Sequence, residues 1–335
     1  MNIIIPMAGM GKRMRPHTLT TAKPLLPIAG KPIVQRLLED IMATANEKVE
    51  EVAFIIAPHF GKATEEMLLS IAGALDTKGR IFYQVEALGT AHAILCASES
   101  LKGNVFIAFA DTLFKADFKI DTAKDAIIWT QKVADPSQFG VVQLADDGQI
   151  TAFIEKPKTF VSDLAIIGVY YFKDGAYLRS ELQYLLDNDI REKGEFQLTN
   201  AMENMKNKGT SFYCDQVEEW LDCGNKDATV FTNQRILEIK QNSEKLISDT
   251  ALQTNSIIIP PCYIGPEVEL INSIVGPHVS LEKGVKVENA ILKNSIIQEK
   301  SIVKDAHIED SMLGKSVIYN DKPEALSLGD FSTIL

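Results

Sequence analysis

The stretch "NIIIPMAGMGKRMRPHT" fills residues 2–18, and its reading decides the fold. Asn2–Ala8 is a continuous apolar run ending at a glycine, the pattern of a parallel strand buried on both faces. The chain then passes Gly9, Gly11, Lys12, Arg13 and Arg15, with Lys23 close behind. Glycines bare the backbone to whatever approaches it, and amide N–H groups at such a turn bind phosphate. Arginine forks and a lysine charge hold anions. The loop therefore reads as an anion site. Its glycines match neither the G-x-G-x-x-G dinucleotide fingerprint nor a P-loop.

Outward from this strand, segments alternate. "KPIVQRLLEDIMATA" carries apolar residues at helical spacing, "EVAFIIAP" is a second buried strand, and "KATEEMLLSIAGAL" is a second helix. "RIFYQV" is a third strand, "GTAHAILCASESL" a helix opening after a glycine, and "VFIAFAD" a strand ending on Asp111. This order predicts an α/β, Rossmann-like, mostly parallel sheet with helices on both faces. Ligands in such sheets sit outside the carboxyl ends of the strands, where Gly9 and Asp111 fall. "AIIWTQKV", "GVVQLADDGQITAFIEKP" and "AIIGVYYF" read as insertions into the sheet, with a hairpin turn at Asp147-Gly148.

From about residue 251 the rhythm changes. Apolar residues recur at Ile258, Ile264, Leu270, Val275, Leu281, Val287, Leu292, Ile297, Val303, Ile308 and Leu313, five or six positions apart. That period fits neither a helix nor a meander. It fits a β-helix of hexapeptide-like repeats, at about 18 residues per coil and roughly three to four coils. The expected organisation is a catalytic domain at 1–235, a connecting helix and linker at 236–250, a left-handed parallel β-helix at 251–320 and a tail at 321–335.

The chain has 335 residues, 46% hydrophobic and 24% charged, with a net charge of −11. An acidic body argues against nucleic acid or an anionic membrane as partner and leaves room for a local basic pocket. Cys96, Cys214, Cys223 and Cys262 form no C-x-x-C pair and lie near no histidine at zinc spacing. With no leader-like start and no apolar run of membrane-spanning length, a cytoplasmic protein with reduced thiols is expected.

"AGMGKRMRPHT…AKPLLPIAGKPI" resembles the signature of the sugar-1-phosphate nucleotidylyltransferases, A-[AG]-G-x-G-[TS]-R-[LM]-x-P-x-T followed by K-P-[LM]. "QVEALGTAHAI", "FADT", "FIEKP", "GEFQLTNAM" and "WLDCGN" are similar to the family's later blocks, in the same order, so the resemblance covers essentially the whole chain. Three departures stand out: Met7-Ala8 before the loop, Lys12 in place of threonine or serine, and Ala110 where glycine is frequent.

The resemblance implies the following roles. Ala8, Gly9, Gly11, Lys12 and Arg13 would hold the triphosphate, and Gln84 and Gly89 would read the base. Lys23 would steady the leaving pyrophosphate. Asp111 and Asp222 would hold Mg²⁺, a hard ion usually bound by one or two carboxylates plus substrate phosphates. Lys156 would bind the sugar phosphate, with Glu155, Gly140 and Glu195 around the sugar. Arg13, Lys23 and Lys156 are the catalytic cations. The implied reaction joins a nucleoside triphosphate and a sugar-1-phosphate into a nucleotide sugar, releasing pyrophosphate. Gln84 favours dTTP, with UTP second, and glucose-1-phosphate leads on family frequency. A homo-oligomer assembled through the β-helix is expected.

Three other readings stand beside this one: a GTP-dependent mannose-1-phosphate guanylyltransferase, a regulatory subunit that binds nucleotide sugar without turnover, and a bifunctional acyltransferase built on His278. His17, His59, His92 and His307 carry no assigned role.

Overall fold

The structure is a computed structural model that describes residues 1–116 and 119–321. The tail expected at 321–335 lies outside the described residues from 322 onward. The chain forms two compact units, 1–26 with 32–225, and 27–31 with 226–321.

The first unit is built on a nine-stranded sheet. Asn2–Pro6 lies at its centre, parallel to Glu51–Ile56 on one side and to Val105–Ala108 on the other, and Lys78–Tyr83 extends the parallel array to one edge. All residues of the three inner strands are buried, as their mostly apolar sequences require, with Asn2 and Glu51 the buried polar exceptions at the strand starts. Ile4, Ala53, Ile55 and Ile107 pack against Ala91, Ile94, Leu178 and Leu182 of the helices Thr90–Leu95 and Gly175–Asp187. Ile3, Ile5, Phe54 and Phe106, which alternate with them, are equally inaccessible, so both faces of the sheet are covered.

The sheet is mixed on its other side. Leu164–Phe172 runs antiparallel to Val105–Ala108 and also pairs with Ala126–Lys132 and Gly140–Leu144. Its register with Ala126–Lys132 shifts between Ile166 and Tyr170, around Gly168 at φ +82°. The segments read as insertions are thus strands of the main sheet itself.

The second unit contains a parallel β-helix. Three parallel sheets run through it, of five, four and four strands, giving four full coils and the first strand of a fifth among the described residues. The register pairs Leu252 with Glu269, Glu269 with Lys286, Lys286 with Ile302 and Ile302 with Ile318, so the coils are seventeen and then sixteen residues long. They are shorter than the expected 18 because corners are turned by single residues in the left-handed region, Asn255, Asn272, Asn289 and Asp305 among them. These four also bond from coil to coil, each asparagine amide donating to the next side chain. Ile264, Leu270, Val275, Leu281, Val287, Leu292 and Val303 fill the interior.

The segment 27–31 belongs with this second unit. Asn233, fully buried on the helix Lys226–Lys240, accepts from the Ala29 amide at 2.9 Å and from Ser280 Oγ at 2.7 Å. Gly30, at φ +83°, lies so close to Tyr263 that a Cβ would fall 2.2 Å from its ring. His278 is also held here, its Nε2 2.9 Å from Glu238.

Asn233→Ala should take the shared side-chain acceptor away from two buried donors, at about 1–3 kcal/mol each. The expected readout is loss of hydrogen-exchange protection at the Ala29 amide. Unchanged protection there would contradict this account of the segment.

Candidate active site

The loop after Asn2–Pro6, the residue after Lys78–Tyr83 and the residues after Val105–Ala108 leave the sheet on one side, at the carboxyl ends of parallel strands. Between them lies a cleft of about 410 Å³. Ala8, Gly9, Gly11, Lys12, Arg13, Lys23, Gln84, Gly89, Asp111 and Glu195 all line it, along with Pro24, Phe109 and Gly224.

The two loop glycines serve different needs. Gly11 has φ +55°, and a Cβ there would press on Thr18 Cγ2 at 3.0 Å and Lys23 Cβ at 3.1 Å. Thr18 Oγ1 locks the turn by donating to the Gly11 carbonyl at 2.8 Å. A Cβ on Gly9 would meet nothing within 4 Å. The protein's own packing therefore makes no demand for glycine at residue 9. What its absence of a side chain does is bare the backbone to the cleft.

The cations and carboxylates form one electrostatic unit. Glu219–Asp222 pairs antiparallel with Thr112–Lys115, and the Cys223 amide donates to the Asp111 carbonyl at 2.9 Å, which sets Asp222 beside Asp111. Burial, and then the charge of Asp111, push the Asp222 carboxyl above its ordinary pKa. Lys23, the Gly224 amide and Arg13 pull it back. Lys23, 8% exposed, reaches Asp111 Oδ2 at 2.9 Å. The Gly224 amide donates to Asp222 Oδ1 at 3.0 Å, and a Cβ there would crowd Asp222 Oδ2 at 2.8 Å and Arg13 Nη2 at 3.3 Å. Gly224, absent from the expected residues, is thus needed for the carboxylate and the arginine to approach.

At the other end, two sequence blocks over a hundred residues apart interlock. Gly89 sits at φ +116° with the Phe196 backbone 2.4 and 2.7 Å from where its Cβ would be. Phe196 donates to the Leu88 carbonyl, and its own carbonyl accepts from Ala91. Glu195 consequently enters the cleft wall next to Gly89.

Gly140, Glu155 and Lys156 form a second cluster that does not line this cleft. Gly140 faces Glu155 across a strand pair, and its virtual Cβ lies 3.0 Å from Glu155 Oε2. Lys156 is held at φ +46° by its amide bond to the Phe139 carbonyl. A left-handed lysine is strained backbone of the kind that collects at functional sites. Its Nζ is 3.7 Å from Glu155 Oε1. Thr199, missed in the sequence, packs its methyl 4.0 Å from the same virtual Cβ, and its buried hydroxyl has no hydrogen-bond partner among the described residues.

No group of three or more His, Cys, Asp or Glu is arranged to hold a metal among the described residues. The Asp111–Asp222 pair still suits a hard cation whose other ligands are phosphate oxygens. A carboxyl held high by burial and by its neighbour's charge, as Asp222 is, is relieved by a positive charge beside it. No helix among the described residues is long and apolar enough to cross a membrane.

Gly89→Ala should force the Phe196 backbone away and lower the melting temperature. A thermal melt checks it, and an unchanged melting temperature would mean the interlock is dispensable.

A family model described as nucleotidyl transferase matches residues 2–239. The glucose-1-phosphate thymidylyltransferase of Streptomyces antibioticus is 29% identical over 297 residues, spanning 82% of this chain and 81% of that protein. The bifunctional protein GlmU of Methanococcus maripaludis is 28% identical over 263 residues, spanning 77% of this chain but 60% of that protein. Among solved structures, a UDP-glucose pyrophosphorylase complexed with UDP-glucose matches with a TM-score of 0.58 at 22% identity, covering 71% of this chain and 98% of that one, a likeness of fold. The family match takes in every residue of the cleft and of the second cluster, and the chain belongs to the nucleotidyl transferase family, as a sugar nucleotidyltransferase.

Proposed function

We propose that this enzyme transfers a nucleotidyl group from dTTP, or second from UTP, to glucose-1-phosphate, releasing pyrophosphate. The observation that carries the reading is the cleft itself. It joins a bare-backbone cationic loop and Asp111, with Asp222 set beside that carboxylate, to Gln84 and Gly89, a combination that suits a nucleoside triphosphate. The thymidylyltransferase relative supports the choice of nucleotide and sugar.

Arg13 and Lys12, with the amides of the loop, hold the β- and γ-phosphates. Lys156 brings the sugar phosphate in, with Gly140 and Glu155 against the sugar. An oxygen of the sugar phosphate forms a bond to the α-phosphorus as the bond to the pyrophosphate oxygen breaks in line. Lys23 is poised on Asp111 and can share its charge with the departing pyrophosphate. Asp111 and Asp222 would hold a divalent cation, whose chemistry is to neutralise the crowded phosphates. The protein's own part is mostly positioning and charge neutralisation.

The reading is tested by pyrophosphate release from dTTP, UTP, GTP, ATP and CTP against glucose-, mannose-, galactose- and N-acetylglucosamine-1-phosphate. The dTTP and glucose-1-phosphate pair should have the highest kcat/KM. A GTP and mannose-1-phosphate optimum would replace this proposal with the guanylyltransferase, and no release from any pair would favour the regulatory reading.

The division of the site into two clusters predicts that two cations fail differently. Arg13→Ala should raise KM for the triphosphate by roughly 10-fold or more, and Lys156→Ala should do the same for the sugar phosphate. Initial-rate kinetics in both substrates decide it, and identical defects toward both would show the division to be wrong.

A further inference from the structure

The carboxamide of Gln84 is held from behind. Its Nε2 lies 3.4 Å from the Gly89 carbonyl oxygen and 3.2 Å from Nδ1 of His92. An amide nitrogen has only protons to offer, so Nδ1 accepts, and the imidazole is the neutral form with its proton on Nε2. Half-burial pulls the His92 pKa below the ordinary imidazole value, and the weaker opposing pull of Glu86 does not cancel it. The imidazole is not itself part of the cleft wall, which is made here by Gln84, Ala87, Gly89, Thr90 and Ala93.

Both protons of the amide are therefore committed inward, one to Gly89 and one to His92. Oε1 takes no hydrogen bond among the described residues and is the atom left to face a ligand. We propose that His92 is a positioning residue that locks the Gln84 carboxamide with its oxygen toward the cleft, so that the pocket selects a base by accepting a ring N–H. This rests on the reading that the nucleotide base lies at Gln84.

The selection follows from base chemistry. Thymine and uracil carry N3–H, and guanine carries N1–H. The corresponding ring nitrogens of cytosine and adenine are acceptors, which would set lone pair against lone pair. Without the acceptor behind it, the amide is free to turn over and present its NH₂ group, which suits cytosine. Loss of His92 then relaxes discrimination between bases and leaves the chemical step alone.

The test compares dTTP and dCTP, by calorimetric Kd and by kcat and KM, in the full chain. His92→Phe keeps a ring of similar size without an acceptor, and His92→Leu serves if that variant does not fold. Kd and KM for dTTP should rise about tenfold and the preference for dTTP over dCTP should shrink by a similar factor, with kcat within about twofold. His92→Asn, whose Oδ1 can accept near the position of Nδ1, should restore both. In the unaltered protein, ¹⁵N NMR should place the ring proton of His92 on Nε2.

Unchanged dTTP preference in the apolar variants, or a proton found on Nδ1, overturns the inference. Gln84→Ala separates the two levels. If it leaves the base preference intact, the base does not lie at Gln84 and the underlying reading falls with the inference. If it abolishes the preference while His92→Phe does not, only the role of His92 falls.

Discussion

Two carboxylates, Asp111 in the cleft wall and Asp222 beside it, stand close together, and much of the surrounding architecture manages their repulsion. The backbone bond from Cys223 to Asp111 fixes their neighbourhood, so neither can drift away. Lys23 is buried against one, and the Gly224 amide is turned onto the other. Arg13 approaches because residue 224 has no side chain. The cationic loop is thus only half of the arrangement, since the carboxylate pair engages Lys23 and has Arg13 close by.

Distance along the chain is bridged by backbone as much as by side chains. The Gly89 turn is shaped by Phe196, and Lys156 is strained by its bond to Phe139. Each functional group is therefore mounted on main chain whose geometry is set by a remote segment. A substitution that shifts such a segment moves the group it carries without touching it. Family blocks that look independent in the sequence are coupled pairwise in space.

The parallel half of the sheet was legible because its strands are buried on both faces and read as unbroken apolar runs. The solenoid was legible because its inward residues recur every five or six positions along the chain. What escaped was whatever depends on pairing between distant segments. Leu164–Phe172 gives an apolar run of the same kind whether it lies parallel or antiparallel, so its direction could not be read. The coil length was overestimated because single left-handed Asn and Asp residues turn corners that a strict hexapeptide would round more slowly. In the cleft, the cations, glycines and carboxylates announced themselves through chemistry in a recognisable order. Gly224 and Thr199 gave no comparable signal, since their importance lies in what a Cβ would strike and in a hydroxyl left unpartnered. His92 was passed over because a lone histidine on a short helix says nothing until the amide it touches is known.

The small segment at 27–31 has a consequence for biosynthesis. Its partners Asn233 and Tyr263, and Ser280 which donates to Asn233, leave the ribosome long after it does. At about 5–20 residues per second, the interval from residue 31 to residue 226 is roughly 10–40 s. Throughout that time the Ala29 amide has no partner on Asn233, and Gly30 has no tyrosine ring to pack against. The nascent chain must therefore carry this short hairpin for that interval without its contacts to the second unit. The second unit, for its part, cannot be excised by a single cut, because a piece of it is encoded before most of the first.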